Sequence, residues 1–430
     1  MKAVISNRIY MEVSPEYHTE LNSLLTYKIP TYNPQDPPTI IKNIGTIRKG
    51  LVSIPSGRMD LIPPGYEIVD KRMEVPVEFP KFKYDLRESQ QAVHDEVDSS
   101  CIINAWVSWG KTFTGLAIAA NLGQKTLVVV HTVQLRNQWA KEVRKVFGIE
   151  PGVIGSGKFN TNSPIVVGNI QSLNKHMGKL GKMFGTVILD EMHHISAATF
   201  SRVIDKSYAK YKIGLSGTIE RKDGKHVVFK DYFSDKLFQP PKENYMVPTI
   251  NIIKTDTRFM DGRAPWANKV TALCQDPEYI DLVASLAKGY ADIGHKVLVV
   301  GGRVDFLHRC AELVGEQAVA VTGRVTDDAE RERMIESVVH DKDVVFGTQA
   351  IFSEGISQSA FSCLVLANPL NNMPLLTQLI GRVIRLQEGK IDPIIVDIHL
   401  KGNTVSGQAS ARMGHYMREG YQMKEIDLRK

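Results

Sequence analysis

The chain has 430 residues, 43% hydrophobic and 23% charged, enough to bury a sizeable core across two or three domains and too apolar for global disorder. No apolar run approaches the roughly 18 residues of a membrane span, Met1 to Val13 lacks a leader's apolar centre, and Cys101, Cys274, Cys310 and Cys363 form no C-x-x-C pair, so membrane, disulfide and cysteine-zinc classes are set aside. A cytoplasmic protein is expected, and its net charge of +6 is concentrated in residues 81–240, where 22 Lys+Arg face 14 Asp+Glu: either a nucleic-acid footprint or a solvated basic surface.

Ten of the 20 prolines fall in residues 1–80. The alternating runs AVISNRIYMEV, TIIKNIGTIRKGLVSI and GYEIVDKRMEV predict short antiparallel strands there, and Ser14-Pro15 predicts a capped helix start. A small α+β accessory domain over residues 1–80 follows, possessing no net charge that would assign it a partner. From residue 81 to 238 the texture changes to CIINAW, TLVVVH, PIVVGN, TVILDE and KIGLSG, each a continuous apolar β-branched run followed by a helical stretch. Continuous rather than alternating apolarity marks strands covered on both faces, as in a parallel sheet. After a proline-bearing linker at FQPPKEN, residues 239–430 repeat the pattern with KVLVVGG, AVAVTG, DVVFGT, CLVLAN and PIIVDI. The expected fold is α/β, two tandem RecA-like parallel-sheet domains preceded by the accessory domain, with a helix over Gln408–Tyr421.

Three stretches carry chemistry. NAWVSWGKTFTG ends in Gly110, Lys111 and Thr112 between a strand and a helix, the setting in which backbone N–H groups bind phosphate. Ser108 stands where a glycine would ease a left-handed turn, at a cost of about 1 kcal/mol, less than the roughly 1.5–3 kcal/mol of one charge-assisted phosphate bond. A chance surface loop is the alternative. VILDEMHH places Asp190 and Glu191 at a strand end, where one carboxylate suits Mg²⁺ and the next suits a water, unless they form an exposed acidic turn. His193 reads as a polar coupler and His194 as packed or solvated. In QLIGRVIR, Gln378, Arg382 and Arg385 share one face of a predicted helix whose apolar neighbours bury it, so the guanidiniums need an anionic partner. Trp106 and Trp109 fit stacking or packing equally, and Asp256–Lys269, with exposed-looking Phe259 and Trp266, reads as a loop or a wedge.

Over residues 84 to about 400 the ordered motifs resemble superfamily 2 helicases of the DExH type. LRESQ resembles the adenine-contacting segment, with Arg87 and Gln90 in the matching places; AWVSWGKT resembles motif I, departing at Val107 and Ser108; GLSGTIERKDG resembles motif III, with Ile219 where proline is frequent. VVVHTVQLRNQW and GNIQSL resemble motifs Ia and Ib, GTQAIFSEGIS motif V and QLIGRVIR motif VI. The resemblance implies ATP and Mg²⁺ as cofactors. It implies ATP contacts from Arg87, Gln90, Ser108, Trp109, Gly110, Lys111, Thr112, Glu354 and Gly355, metal ligation by Thr112 and Asp190, and catalysis by Lys111, Asp190, Glu191, Gln378, Arg382 and Arg385. Thr132, Gln171, Arg303 and Thr348 would touch sugar-phosphate. The Q-x-x-G-R-x-x-R form and Arg221-Lys222-Asp223 are similar to phage UvsW-type branch-migration helicases, implying branched or forked DNA as partner, in the host-cell cytoplasm if phage-encoded, with no obligate protein partner evident and no membrane. An RNA helicase, the motor of a restriction-type translocase, and a non-catalytic nucleotide-binding module are the alternatives.

Overall fold

The computed structural model describes residues 1–29, 37–192, 202–217, 225–322, 337, 340–349 and 360–429. The chain divides into two compact units, Met1–Glu243 and Asn244–Lys430. The first opens with strands β1 (Lys2–Ile5) and β2 (Arg8–Glu12), helix α1 (Pro15–Leu24), and strands β3 (Thr26–Ile29), β4 (Thr39–Lys42), β5 (Gly45–Arg48), β6 (Leu51–Pro55) and β7 (Glu67–Asp70). The alternation of Ala3, Ile5, Ile9 and Met11 turns one face of a five-stranded sheet, order β5-β6-β2-β1-β7, onto Leu21 of α1. Ser14 caps that helix, its Oγ accepting from the Tyr17 N–H at 3.2 Å, and Pro15 occupies the first turn. The sheet is antiparallel except at β7, which runs parallel to β1, a crossover that the run GYEIVDKRMEV does not announce.

An eight-stranded sheet follows in the same unit. Its strands are β8 (Cys101–Asn104), β9 (Thr126–Val130), β10 (Gly152–Gly155), β11 (Lys158–Phe159), β12 (Ile165–Asn169), β13 (Thr186–Leu189), β14 (Tyr211–Ser216) and β15 (Leu237–Phe238), in spatial order β11-β10-β12-β9-β13-β14-β8-β15. All pairs but β10–β11 are parallel. Helices α2 (Glu88–Glu96), α3 (Lys111–Leu122), α4 (Val133–Phe147), α5 (Ile170–Leu180) and α6 (Phe229–Phe233) accompany it. Every residue of β9, β12 and β13 is buried, as continuous apolar runs require.

The N-terminal sheet is fastened to this layer by buried polar groups. Asp231 of α6, wholly inaccessible, accepts from Tyr27 Oη at 2.9 Å, Asn43 Nδ2 at 2.8 Å and Arg58 Nη1 at 3.3 Å. The Gly57 N–H donates to the Asp231 carbonyl at 2.9 Å, and a Cβ at Gly57 would lie 2.5 Å from the Lys230 carbonyl oxygen, so only glycine allows that approach. Arg8 pairs with Asp205 at 3.0 Å, and Lys212 Nζ donates to Ser56 Oγ at 2.8 Å.

The second unit holds seven parallel strands: β16 (Thr249–Arg258), β17 (Val297–Gly301), β18 (Ala318–Val321), β19 (Val344–Thr348), β20 (Cys363–Leu366), β21 (Ile394–Lys401) and β22 (Gln422–Asp427), ordered β18-β19-β17-β20-β21-β16-β22. Helices α7 (Trp266–Gln275), α8 (Pro277–Asp292), α9 (Val304–Val314), α10 (Met373–Val383) and α11 (Asn403–Arg418) accompany them. Two tandem parallel sheets after an α+β segment are the α/β architecture expected above. Three details differ. The C-terminal helix is Asn403–Arg418 rather than Gln408–Tyr421, and the chain then adds β22 beside β16. Phe259 is a core residue, 1% exposed, because its N–H bonds to the Lys401 carbonyl and extends the sheet pairing; Trp266, 42% exposed, tilts against its ring at 5.1 Å. α10 ends at Val383, so Gln378 and Arg382 share a helix face but Arg385 lies beyond it. No described helix is long and apolar enough to cross a membrane.

Candidate nucleotide and nucleic-acid sites

Strands β8, β14 and β13 are neighbours, so the segments leaving their carboxyl ends converge although they are distant in sequence. β8 leads into the turn 105–110, where Ser108 has φ +71° and Gly110 φ +92°. Those left-handed residues reverse the chain so that α3 starts at Lys111 with its first amides unpaired by acidic side chains. Gly115 lets α3 settle on the sheet, since a Cβ there would sit 3.2 Å from Trp139 and 3.3 Å from Leu215. Lys111, its side chain 11% exposed, donates from Nζ to the Ala105 carbonyl at 3.2 Å and stands 4.0 Å from Glu191 Oε1. Gly217, at the end of β14, places its Cα face toward Lys111, a Cβ there lying 3.4 Å from Nζ. The rest of the motif III segment, Thr218 to Gly224 with Arg221-Lys222-Asp223, lies outside the described residues, as do His193, His194, Glu354 and Gly355.

Asp190 follows β13 and is buried. Trp139 Nε1 of α4 donates to its Oδ2 at 2.7 Å, and the Glu191 N–H donates to its Oδ1 at 2.9 Å. Glu191 itself is left-handed, φ +47°, which turns its carboxylate back toward Lys111. Burial, and then the neighbouring Glu191, push the Asp190 carboxyl above its ordinary range, opposed by the Trp139 donor and Lys111. A cation would relieve that. The buried Asp190 carboxylate and the hydroxyl of Thr112, second residue of α3, are hard-oxygen donors of the kind Mg²⁺ takes, and the first amides of α3, which carry no side-chain cap, suit phosphate.

Arg87 and Gln90 meet the loop rather than open space. Gln90 Nε2 donates to the Trp109 carbonyl at 2.7 Å, and an Arg87 guanidinium N–H donates to the same oxygen. Gln90 also caps α2 by accepting from the Arg87 N–H at 3.0 Å. Gly110 belongs to this cluster: a Cβ there would sit 2.7 Å from Gln90 Nε2. Trp109 is wholly buried, its indole N–H donating to Ser89 Oγ at 2.8 Å, so it packs and does not stack on a base. Trp106 takes Lys242 Nζ over its ring at 3.9 Å.

In the second unit, Gln378 and Arg382 lie four residues apart on α10, and Arg385 forms an antiparallel bridge with Tyr245. Burial pushes the Arg385 guanidinium below its ordinary value, though it remains a cation. The four residues assigned to nucleic acid fall at carboxyl ends of strands. Thr132 follows β9 and caps α4, accepting from the Leu135 N–H at 3.2 Å; exposed Gln171 follows the adjacent β12 and donates to the His131 carbonyl at 3.3 Å. In the other sheet Thr348 lies in register with Gly301, two residues before Arg303. The Arg303 guanidinium is occupied by Thr271 Oγ1 at 3.0 Å and by the carbonyls of Gly302 and Ala267. Trp139 and Ser89 lie inside the VVVHTVQLRNQW and LRESQ stretches, which assign them no role, and Glu243 lies outside every motif. Trp139 continues the Leu135, Val143 stripe of α4, which reads as ordinary core, and Glu243 sits in a linker with no pattern.

Comparison with known proteins bears on the family and the fold. The family described as "Type III restriction enzyme, res subunit" matches residues 83–221. The chain is 43% identical over 430 residues to "Probable helicase D10" of Escherichia phage T5, covering 98% of this chain and 95% of that protein. Dbp5 of Saccharomyces cerevisiae, solved with RNA and ADP BeF3, shares the fold at 13% identity and a TM-score of 0.59, covering 79% of this chain and 89% of that one. The T4 UvsW crystal structure aligns over 100% of both chains at 20% identity with a TM-score of 0.44.

Proposed function

This chain belongs to the superfamily 2 helicases, which use ATP to work on nucleic acid, and on that premise we propose that it is a DNA translocase that remodels branched DNA, at forks or junctions, during phage replication, recombination or repair. The convergence of Lys111, Asp190 and Glu191 beyond the ends of β8 and β13, the two strands that flank β14, supports the hydrolytic part of this reading more than any other observation. In it, Lys111 and the α3 amides hold the β- and γ-phosphates, Thr112 and Asp190 hold Mg²⁺, and Glu191 orients the attacking water. The metal, when bound, neutralises charge on the phosphate oxygens. Arg382 and Arg385 supply guanidiniums to the transferring phosphoryl group, a contribution of about 10³- to 10⁵-fold where such arginines act. Thr132, Gln171, Arg303 and Thr348 contact sugar-phosphate, which gives grip with little base reading.

The preference for branched DNA rests on the Q-x-x-G-R-x-x-R form of residues 378–385 and on Arg221-Lys222-Asp223, which resemble phage UvsW-type branch-migration helicases; the phage relative supports the helicase part alone. ATP hydrolysis is to be measured with forks, four-way junctions, linear duplex and single-stranded RNA, alongside strand displacement on each. Branched DNA should stimulate turnover most. Greater stimulation by RNA would move the protein to the RNA helicases, and turnover indifferent to every polymer would end the motor reading.

A further inference from the structure

Residues 242–246 hold on to the phosphate loop at one end and to the arginine segment at the other. On the first side, the Glu243 carboxylate accepts from Ser89 Oγ at 2.6 Å and pairs with Arg87 Nη1 at 2.9 Å. Both partners also bind Trp109: Ser89 Oγ accepts from its indole N–H at 2.8 Å, and Arg87 donates to its carbonyl. Trp109 directly precedes Gly110 and Lys111, while Lys242 covers Trp106 at the start of the same loop. On the second side, Tyr245 bridges Arg385 and the Met246 N–H donates to the Ile384 carbonyl at 2.7 Å. Lys390 Nζ donates to the Arg385 carbonyl at 2.9 Å, so the backbone of that arginine is held from two sides.

One residue, Asn244, separates the two sets of contacts, and it is left-handed at φ +58°. Whatever orientation the two units take, Glu243 and Tyr245 stay within two Cα steps of about 3.8 Å each. A displacement of the Trp109 carbonyl or indole therefore acts on the chain that is paired with Arg385. We infer that residues 242–246 are a strap that ties occupancy of the phosphate loop to presentation of Arg385, with Glu243 as its positioning residue; the inference rests on the nucleotide site proposed above. One carboxylate oxygen, Glu243 Oε1, serves both anchors, and hydrogen bonds to an ionised acceptor are roughly twice as strong as neutral ones, so the link from Ser89 and Arg87 to residue 243 is a firm one. Coupling between sites of this kind commonly amounts to about 5- to 150-fold.

The test uses the full chain with Glu243→Ala and Glu243→Gln. Nucleic-acid-stimulated and unstimulated turnover, binding of a fluorescent ATP analogue and the thermal midpoint are measured for each. Glu243→Ala is expected to lower the stimulation ratio at least tenfold with nucleotide affinity and midpoint little changed. Glu243→Gln, which still accepts from Ser89 but is neutral toward Arg87, is expected to fall between. A ratio equal to wild type, or a loss matched by an equal loss of nucleotide binding, overturns the strap. Hydrogen exchange of residues 245–246 and 384–386 on adding a non-hydrolysable ATP analogue needs binding alone. Protection in wild type that is absent in Glu243→Ala supports the strap even if turnover proves independent of nucleic acid, which would sink only the motor reading. Equal protection in both proteins overturns it.

Discussion

The indole N–H of Trp139 donates to Asp190 Oδ2 at 2.7 Å, and the carboxylate it holds is buried. A hydrogen bond to a charged group contributes about 1.5–3 kcal/mol, and partners that orient a metal ligand commonly contribute 10- to 100-fold in metal affinity or activity, roughly. Trp139→Phe keeps most of the ring in the core and removes only the donor. It should raise the Mg²⁺ concentration for half-maximal ATP hydrolysis and lower turnover by about tenfold or more. Unchanged magnesium dependence would make the contact a packing accident.

The phosphate loop gives a pair of opposite outcomes. Left-handed Ser108 costs about 1–2 kcal/mol, against roughly 0.5–1 kcal/mol for the extra chain entropy of a glycine. Ser108→Gly should therefore leave stability equal or slightly higher and nucleotide binding intact. Gly110→Ala has no such latitude, since φ is +92° and the new Cβ would push Gln90 off the Trp109 carbonyl. Titration with a fluorescent ATP analogue should show at least a tenfold loss for the alanine variant. Equal affinities in the two variants would mean that the loop does not hold the nucleotide.

Both parallel sheets were legible because buried strands such as Thr126–Val130 have no polar alternation to confuse with anything else. Ser108 was legible too, as its place in the loop demanded a left-handed residue. β22, by contrast, spells QMKEID and exposes most of its side chains, so nothing in it outweighs a polar tail until β16 supplies the hydrogen bonds. The end of α10 was hidden for a similar reason. No glycine or proline stops it; the pairing of Tyr245 and Met246 with Arg385 and Ile384 takes over the backbone instead. Glu243 illustrates the limit for the site itself: a linker carboxylate becomes meaningful only when folding delivers Arg87 and Ser89 to it.

Docking of the N-terminal sheet should depend on Asp231. Removing one partner of a buried ion pair costs about 3–5 kcal/mol, because the remaining charge stays desolvated. Arg58→Met strands Asp231 between Tyr27 and Asn43 and should lower the urea midpoint of the first unit by a corresponding amount, whereas Asp60→Asn, at the exposed side of the same arginine, should have little effect. Equal midpoints for the two variants would show that the buried contact is not what fastens the sheet.

Lys212 supplies a pH test of the same junction. Its ammonium is fully enclosed, bonded to Ser56 Oγ at 2.8 Å and the Ile204 carbonyl at 3.4 Å, and burial lowers its pKa to about 8, with Asp205 opposing. The unfolded chain holds this proton up to the ordinary lysine value of about 10.4. Between about 8 and 10.4 the unfolded state therefore binds more protons than the folded one, so stability attributable to Lys212 rises with pH across that window. The penalty is complete below about 8 and amounts to roughly 3 kcal/mol from the size of the shift. Lys212→Met should abolish this rise and be more stable than wild type at pH 7, provided the methionine fills the same space. Urea denaturation at pH 7 and pH 9.5 decides the matter: if wild type and variant change in parallel between those values, Lys212 is charged and well compensated in the folded chain, and the junction is held by its ion pairs rather than strained by this amine.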